Sequence, residues 1–325
     1  MNVGIIGAGW IAGKMAATIA GIPKERGIVN YAIASRDLHK AQEFAAAKGF
    51  LKAYGSYKEL VDDPDVDLVY IATPHSHHFE PAKLAIEAGK PVLCEKAFMA
   101  NAAQTEEILS LAHAKGVFIT EAIWTRYMPL SLKIKELIDS GVIGEPRLLR
   151  ASLCYQMDKK VRILRPDLCG GALLDIGVYC LNFARMYFGT DIVSTSSSCE
   201  KFPGGMDKCD AISLTFADGK VAHLSSDASC LCNREGIICG SDGYLVVENI
   251  NCPEKVTLYK GYKPVESWYP PKEQVTGYEY QVFASEDAIA KGLVESPFMP
   301  HAETLSIMKQ MDALRKEWGI VYPMD

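Results

Sequence analysis

Val3-Gly4-Ile5-Ile6-Gly7-Ala8-Gly9-Trp10-Ile11-Ala12 opens the chain, and its reading decides the fold. Apolar residues at 3, 5 and 6 suit a strand buried on both faces of a parallel sheet. Gly7-x-Gly9-x-x-Ala12 follows, and then a helical run from Lys14 to Ala20. Each small residue meets a steric need. Gly7 allows the tight turn out of the strand. Gly9 lets the backbone approach a pyrophosphate, and Ala12 lets the helix pack closely on the strand. The helix N-terminus offers N–H groups and a positive dipole end to phosphates. Gly7, Gly9, Trp10, Ile11 and Ala12 are therefore expected to touch a dinucleotide.

Composition sets the outer bounds. The 325 residues suggest two domains at about 150 residues each. Hydrophobic residues make up 49% and charged residues 23%, enough for a large core and too apolar for disorder. The net charge is −6, with no block of Lys and Arg, which argues against nucleic acid or an anionic membrane as partner. No apolar run is expected to reach the ~20 residues of a spanning helix. Met1 leads into a strand, so no signal peptide is expected, and the reading is cytoplasmic. The ten cysteines are scattered without a C-x-x-C pair, which points to buried free thiols. Cys230, Cys232 and Cys239 fit no usual zinc spacing, and no metal is expected.

Ile28 to Ala34 reads as the second strand, ending in Ser35-Arg36. An NAD site usually has an acidic residue here, on the ribose 2′-hydroxyl. Arg36 can pair with a 2′-phosphate and Ser35 can add a hydroxyl. The alternative has Asp37 on the ribose, but Asp37 suits the N-cap of a helix Leu38 to Lys48 better. NADP is favoured over NAD. The strand 67–72 ends in Thr73-Pro74-His75-Ser76-His77-His78, a turn that should face the ligand. These histidines share no helix face and no acidic cluster joins them. A helix beginning near Ser76 is expected, with Thr73, Pro74, His75 and His78 near the nucleotide. The next strand ends in Glu95-Lys96-Ala97-Phe98. A buried Glu-Lys pair is costly unless used. It is either a structural ion pair or a lysine aimed at a nicotinamide, with Glu95 beside it. Trp124 and Arg126 follow the last strand of this series, where they can wall the same pocket. The doubly wound domain spans 1–121 and the second domain 122–325.

In the second half, Lys159, Lys160, Arg162 and Arg165 make a basic loop, either solvated or lying over cofactor phosphates. Gly170-Gly171 opens a segment read as an amphipathic helix. Asp175 and Tyr179, at i and i+4, share one face. Spacing alone leaves two readings open: a structural carboxylate and a packed tyrosine, or a catalytic pair. Strands without intervening helices follow, with Asp218-Gly219 and Asp242-Gly243 as hairpin turns. They predict a large, mostly antiparallel, open-faced sheet in an α+β domain.

Three motifs in order carry a resemblance: Gly7-x-Gly9-x-x-Ala12, Ala72-Thr-Pro-His-Ser-His-His78 and Glu95-Lys-Ala-Phe98. Together they resemble the glucose–fructose oxidoreductase/inositol dehydrogenase/MocA (Gfo/Idh/MocA) family. That family usually has Glu-Lys-Pro where this chain has Ala97. Glu121-Ala-Ile-Trp-Thr-Arg-Tyr-Met-Pro129 is similar to its dihydrodiol and D-xylose dehydrogenase branch. The resemblance implies Lys96, Asp175 and Tyr179 as catalytic residues, with Tyr179 as general acid/base where many members carry His. It implies hydride transfer between NADP and an alcohol carbon of a sugar, polyol or diol, and a homodimer or higher oligomer through the open sheet face. Lys96 beside Tyr179 would favour the phenolate, and Asp175 would hold the substrate or position Lys96. The rivals are a cofactor-binding sensor of the same family and a methyltransferase. The second is disfavoured because Ser35-Arg36 offers no carboxylate to a ribose diol.

Overall fold

Strand β1 (Asn2–Ile6) lies near the middle of a six-stranded sheet in the computed structural model, which describes residues 1–325. With β2 (Val29–Ala34), β3 (Lys52–Tyr54), β4 (Leu68–Ile71), β5 (Val92–Glu95) and β6 (Ile119–Ala122) it runs in the order β3-β2-β1-β4-β5-β6. Every pairing is parallel, with Val3 opposite Leu68 and Ile5 opposite Tyr70. The strand order reverses between β1 and β4. That is the switch point at which ligands bind in such sheets.

The helices start where their caps predict. Asp37 accepts the Lys40 N–H at 3.2 Å and opens the helix Leu38–Lys48. Ser56 and Glu59 form a reciprocal capping box for Tyr57–Asp62. Asn101 caps Ala102–Lys115. Val3, Ile5, Ala12, Met15, Ile33, Leu68 and Leu93 form the shared core under the first helix, Trp10–Gly21.

The chain divides into two units. The first comprises Met1–Ile123, Val275–Lys309 and Met324–Asp325; the second comprises Trp124–Gln274 and Gln310–Pro323. The sequence reading assigns Val275–Lys309 to the second domain, whereas its contacts lie in the first unit. Val282 packs into the core beneath the first helix. The buried Glu279 carboxylate accepts the N–H groups of Val275 (2.8 Å), Thr276 (3.0 Å) and Gly277 (2.7 Å). Arg26 pairs with Glu286 at 3.0 Å and lies over the Phe283 ring. The Val282 and Arg26–Glu286 contacts are long-range and leave no local periodicity to read, whereas the Glu279 bonds close the start of their own helix.

The second unit holds strands β7 (Pro146–Cys154), β8 (Ile192–Lys201), β9 (Asp207–Phe216), β10 (Val221–Asp227), β11 (Gly236–Gly240), β12 (Tyr244–Glu248), β13 (Lys255–Lys260) and β14 (Lys263–Trp268). Their order is β14-β13-β12-β11-β7-β10-β9-β8, antiparallel except for β7 with β10. Both hairpin turns fall between strands as predicted. The edge strand β14 escapes the sequence reading because its residues are largely exposed and include Pro264, which only an edge tolerates.

The helix Val178–Phe188 packs on β7 and β10. It is buried nearly all round, so the amphipathic reading is corrected. Its opening, Leu173–Gly177, is a π-helical turn, also fully buried. The stretch Pro166–Phe188 has the length and mean hydropathy (1.2) of a membrane span, against the sequence expectation, but 89% of that window is buried within the protein. The opposite sheet face mixes polar and apolar residues, as in the cross-strand row Ser213–His223–Arg150–Ile237–Val246.

Candidate active site

The first unit supplies a nucleotide cradle. Gly7 adopts φ +102°, and a Cβ there would stand 2.9 Å from the Ala72 carbonyl oxygen. No other residue fits that turn. A Cβ on Gly9 would meet nothing within 4 Å, so the space above it is open to a ligand. The helix Trp10–Gly21 has no side-chain cap and no acidic residue in its first turn, which suits an anion at its N-terminus. Ala12 is fully buried against the sheet and Ile11 is half-buried. Trp10 is 74% exposed at the mouth of the turn, with Lys14 Nζ 5.4 Å from its ring. These features fit a dinucleotide.

At the end of β2, Ser35 is buried and its Oγ accepts the Asp37 N–H at 3.3 Å. Arg36 is exposed. The Asp37 carboxylate is engaged as a helix cap, as the sequence reading preferred. Tyr57, which that reading passed over, lies in the field of the Arg36 guanidinium; burial of its phenol outweighs that field and raises its pKa. Its only signal in the sequence is a place one residue after a capping Ser.

The histidine-rich turn is a short 3-10 helix, His75–His77, and the following helix runs from Phe79 to Glu87. The Thr73 hydroxyl closes the turn by donating to the His77 carbonyl at 2.8 Å, while Pro74 is exposed. His78 was expected at the nucleotide; instead its side chain is fully buried. Its Nε2 lies 2.9 Å from the Thr73 carbonyl and its Nδ1 lies 3.0 and 3.1 Å from those of Ala97 and Phe98. Burial pushes its pKa down. His78 thus joins the Thr73 turn to the turn after Lys96. His75 is also buried, edge-on to His78 at 5.8 Å. No group of His, Cys, Asp and Glu is arranged to hold a metal.

Glu95 is buried at the end of β5, where it accepts the Tyr70 hydroxyl from the neighbouring strand and the Lys96 N–H (3.2 Å). These bonds fix the strand end from which Lys96 departs. Lys96 is half-buried, and the Lys96–Ala97 peptide is cis.

The second unit supplies the acid/base candidates. Gly171, at φ +108°, lies so close to Asp207 that a Cβ would stand 1.9 Å from Oδ1. Gly171 therefore makes room for a carboxylate, which accepts the Leu173 N–H at the start of the helical segment. Burial pushes Asp207 up to about 6, partly opposed by those N–H bonds and by Arg315. Asp175 sits on the π turn, a device often found at functional sites. It holds Arg162 in a bidentate pair, Nη1 to Oδ1 at 2.6 Å and Nη2 to Oδ2 at 2.8 Å. The sequence reading has Arg162 in a solvated loop or over phosphates; two members of that basic run instead have specific partners, Arg162 on Asp175 and Arg165 on Asp167. Tyr179, one turn on, is 6% exposed and accepts the Trp124 indole N–H at 2.8 Å. Arg126 is buried, donating from Nε to the Asn182 side chain. Trp124 and Arg126 thus brace the helix that carries Tyr179.

The chain is similar to known proteins along its whole length. Residues 1–122 match the GFO/IDH/MocA model described as an oxidoreductase family with an NAD-binding Rossmann fold, and residues 131–246 match the GFO/IDH/MocA C-terminal domain. A trans-1,2-dihydrobenzene-1,2-diol dehydrogenase of Oryctolagus cuniculus is 33% identical, over 99% of both chains. The protein of that name from Danio rerio is 34% identical, over 99% of this chain and 98% of its own. Among solved structures, the 3-ketoreductase KijD10 of Actinomadura kijaniata, crystallised with NADP and TDP-benzene, is 26% identical with a TM-score of 0.85, over 97% of each chain. Both units and full-length relatives agree, and the chain belongs to the GFO/IDH/MocA family of oxidoreductases.

Proposed function

We propose that this protein is an NADP-dependent dehydrogenase acting on an alcohol carbon of a sugar, polyol or trans-diol. The observation that carries the reading is Tyr179: a phenol on a buried helix, its oxygen bonded to the Trp124 indole, in a chain whose first unit offers a dinucleotide cradle. The full-length relatives named as dihydrodiol dehydrogenases support the substrate class. Gly7, Gly9, Trp10, Ile11 and Ala12 hold the pyrophosphate side. Ser35 and Arg36 take the 2′-phosphate, supported by the engagement of Asp37 elsewhere. Thr73, Pro74 and His75 line the nucleotide, and His78 and Glu95 fix the turns around it.

NADP, when bound, supplies the hydride acceptor or donor. The protein orients the alcohol and moves one proton. In oxidation, Tyr179 as phenolate takes the hydroxyl proton while the carbon gives up hydride; in reduction it returns that proton. A free phenol titrates near ~10, so a nearby cation is needed to bring it into a useful range. Lys96 is proposed to supply one and to bond the substrate oxygen. The sensor reading is disfavoured because Lys96, Asp175 and Tyr179 are all retained. The protein is also proposed to form a homodimer through the open sheet face, which its mass in solution tests.

The test of the function is NADPH formation by the purified protein with aldoses, inositols and vicinal diols. Turnover with one class defines the substrate. Tight NADP binding without turnover on any of them contradicts the dehydrogenase reading.

A further inference from the structure

Trp10 and Lys14 stand at i and i+4 on the first helix, Trp10–Gly21, and so share one of its faces. That face points away from the core. Trp10 and Lys14 are exposed, whereas Ala12, Met15 and Ala16 on the other side of the helix are buried. Side chains on a helix lean toward its N-terminus. The Lys14 side chain follows that lean, and its Nζ stands 5.4 Å from the centroid of the Trp10 ring. The ammonium is thus carried back one turn, toward the residue that opens the helix.

A cation is ill placed there on its own, because the N-terminus is the positive end of the helix dipole. Nothing nearby offsets the charge. The first turn holds no acidic residue, and Gly9 at the cap position brings no side chain. Unlike Lys52, Lys58 and Lys83 of the same unit, Lys14 has no carboxylate partner. Lys48 adds to the positive excess, since its Cε would stand 3.8 Å from a Cβ on Gly13. The Trp10 indole holds the ammonium in a contact that is weak in water and strengthens when a ligand desolvates it. Beside the pair, a Cβ on Gly9 would meet nothing within 4 Å. The uncapped helix start, the open space over Gly9 and the unpaired ammonium share one answer, an anion with several charged oxygens.

We propose that Lys14 is a further binding residue for the dinucleotide, pairing with its pyrophosphate, and that Trp10 holds the ammonium ready for it. This rests on the cofactor reading above. Lys14 lies outside Gly7-x-Gly9-x-x-Ala12, so the fingerprint does not assign it. Its charge serves the two phosphates common to NAD and NADP, whereas Arg36 serves the 2′-phosphate that NADP alone carries.

The experiment is calorimetric titration of the wild type, Lys14→Met and Lys14→Arg with NAD and with NADP. Lys14→Met should bind both dinucleotides roughly tenfold more weakly, the scale of one charge-assisted bond. Lys14→Arg keeps the charge and can stack on the indole, so it should recover most of the affinity. The loss in Lys14→Met should shrink as salt is raised to about 0.5 M. Without ligand, Lys14→Met should melt no lower than the wild type, because it removes a cation from the positive end of the dipole. Unchanged affinity in Lys14→Met, a loss confined to NADP, or a loss accompanied by a lower ligand-free melting temperature overturns this inference alone. A wild type that binds neither dinucleotide overturns it together with the cofactor reading. Binding is read without turnover, so an absent dehydrogenase activity would count against the proposed reaction and leave this inference to the titrations.

Discussion

The Trp124 indole N–H donates to the Tyr179 phenolic oxygen across 2.8 Å, both side chains being buried. An indole can only donate, so the phenol oxygen is the acceptor in this contact. A donated hydrogen bond stabilises the phenolate more than the neutral phenol. Trp124→Phe keeps the ring and removes the donor. A lost hydrogen bond of about 1 kcal/mol corresponds to a fall in kcat of roughly fivefold. NADP affinity should be unchanged. Steady-state kinetics with fluorescence titration of the cofactor checks both, and an unaltered kcat would count against a proton role for Tyr179.

Arg36 is exposed at the end of β2, where the neighbouring Asp37 is engaged as a helix cap. Arg36→Ala should weaken NADP binding by about 1.5–3 kcal/mol, the range of a charge-assisted bond. NAD binding should hardly change. Calorimetric titration with both cofactors measures the difference. Equal losses would remove the 2′-phosphate from this position.

Gly171→Ala places a methyl group on Asp207 Oδ1 and forces φ +108° on a residue with a side chain. Strain of about 1–3 kcal/mol adds to the collision. The variant should unfold at a distinctly lower temperature and lose turnover, because the segment it opens carries Asp175 and Tyr179. Gly9→Ala is the contrasting case, since its Cβ meets no protein atom. It should keep its melting temperature and lose cofactor affinity.

Asp210, on the same strand as Asp207, accepts the Ser226 hydroxyl at 2.9 Å. Burial, reinforced by the negative charge of Asp207, lifts its pKa well above the ordinary carboxylate range. A carboxyl with a raised native pKa binds its proton more tightly when folded. Its contribution to stability is complete below about 4, the unfolded value, and is lost as pH rises through the native one. Asp210→Asn removes that loss. The stability of the variant relative to the wild type should therefore increase between about pH 4 and neutrality. Denaturant unfolding at a series of pH values reads this directly, and a difference independent of pH would contradict it.

The cradle was legible in the sequence because its chemistry is local. Gly7, Gly9 and Ala12 answer steric demands within ten residues, and Asp37 and Ser56 cap helices that begin beside them. The alternation in β9 and β10 and the two hairpin turns show the second sheet equally well. Contacts between distant segments left no such trace. Arg162 lies 13 residues from Asp175, and the loop between them has no period that would announce the pair. Val275–Lys309 rejoins the first unit through Val282 and the Arg26–Glu286 pair, whose residues on this segment look like ordinary helix residues. His78 carries the residue type of a ligand contact, while its burial and three backbone carbonyl neighbours make it a staple between turns. The glycines at 170 and 171 were visible, but the Ile163 and Arg162 carbonyls and the Asp207 carboxylate that require them were not.

The central claim is that Lys96 and Tyr179 serve proton handling in an NADP-dependent oxidation. The most direct measurement compares kcat for the best alcohol substrate with the NADPH dissociation constant in wild type, Lys96→Met and Tyr179→Phe. The account predicts that kcat falls at least a hundredfold in both variants, the scale of a lost general acid/base, while NADPH affinity stays within a few fold. Turnover at the wild-type rate in Tyr179→Phe, with the cofactor still bound, would contradict it.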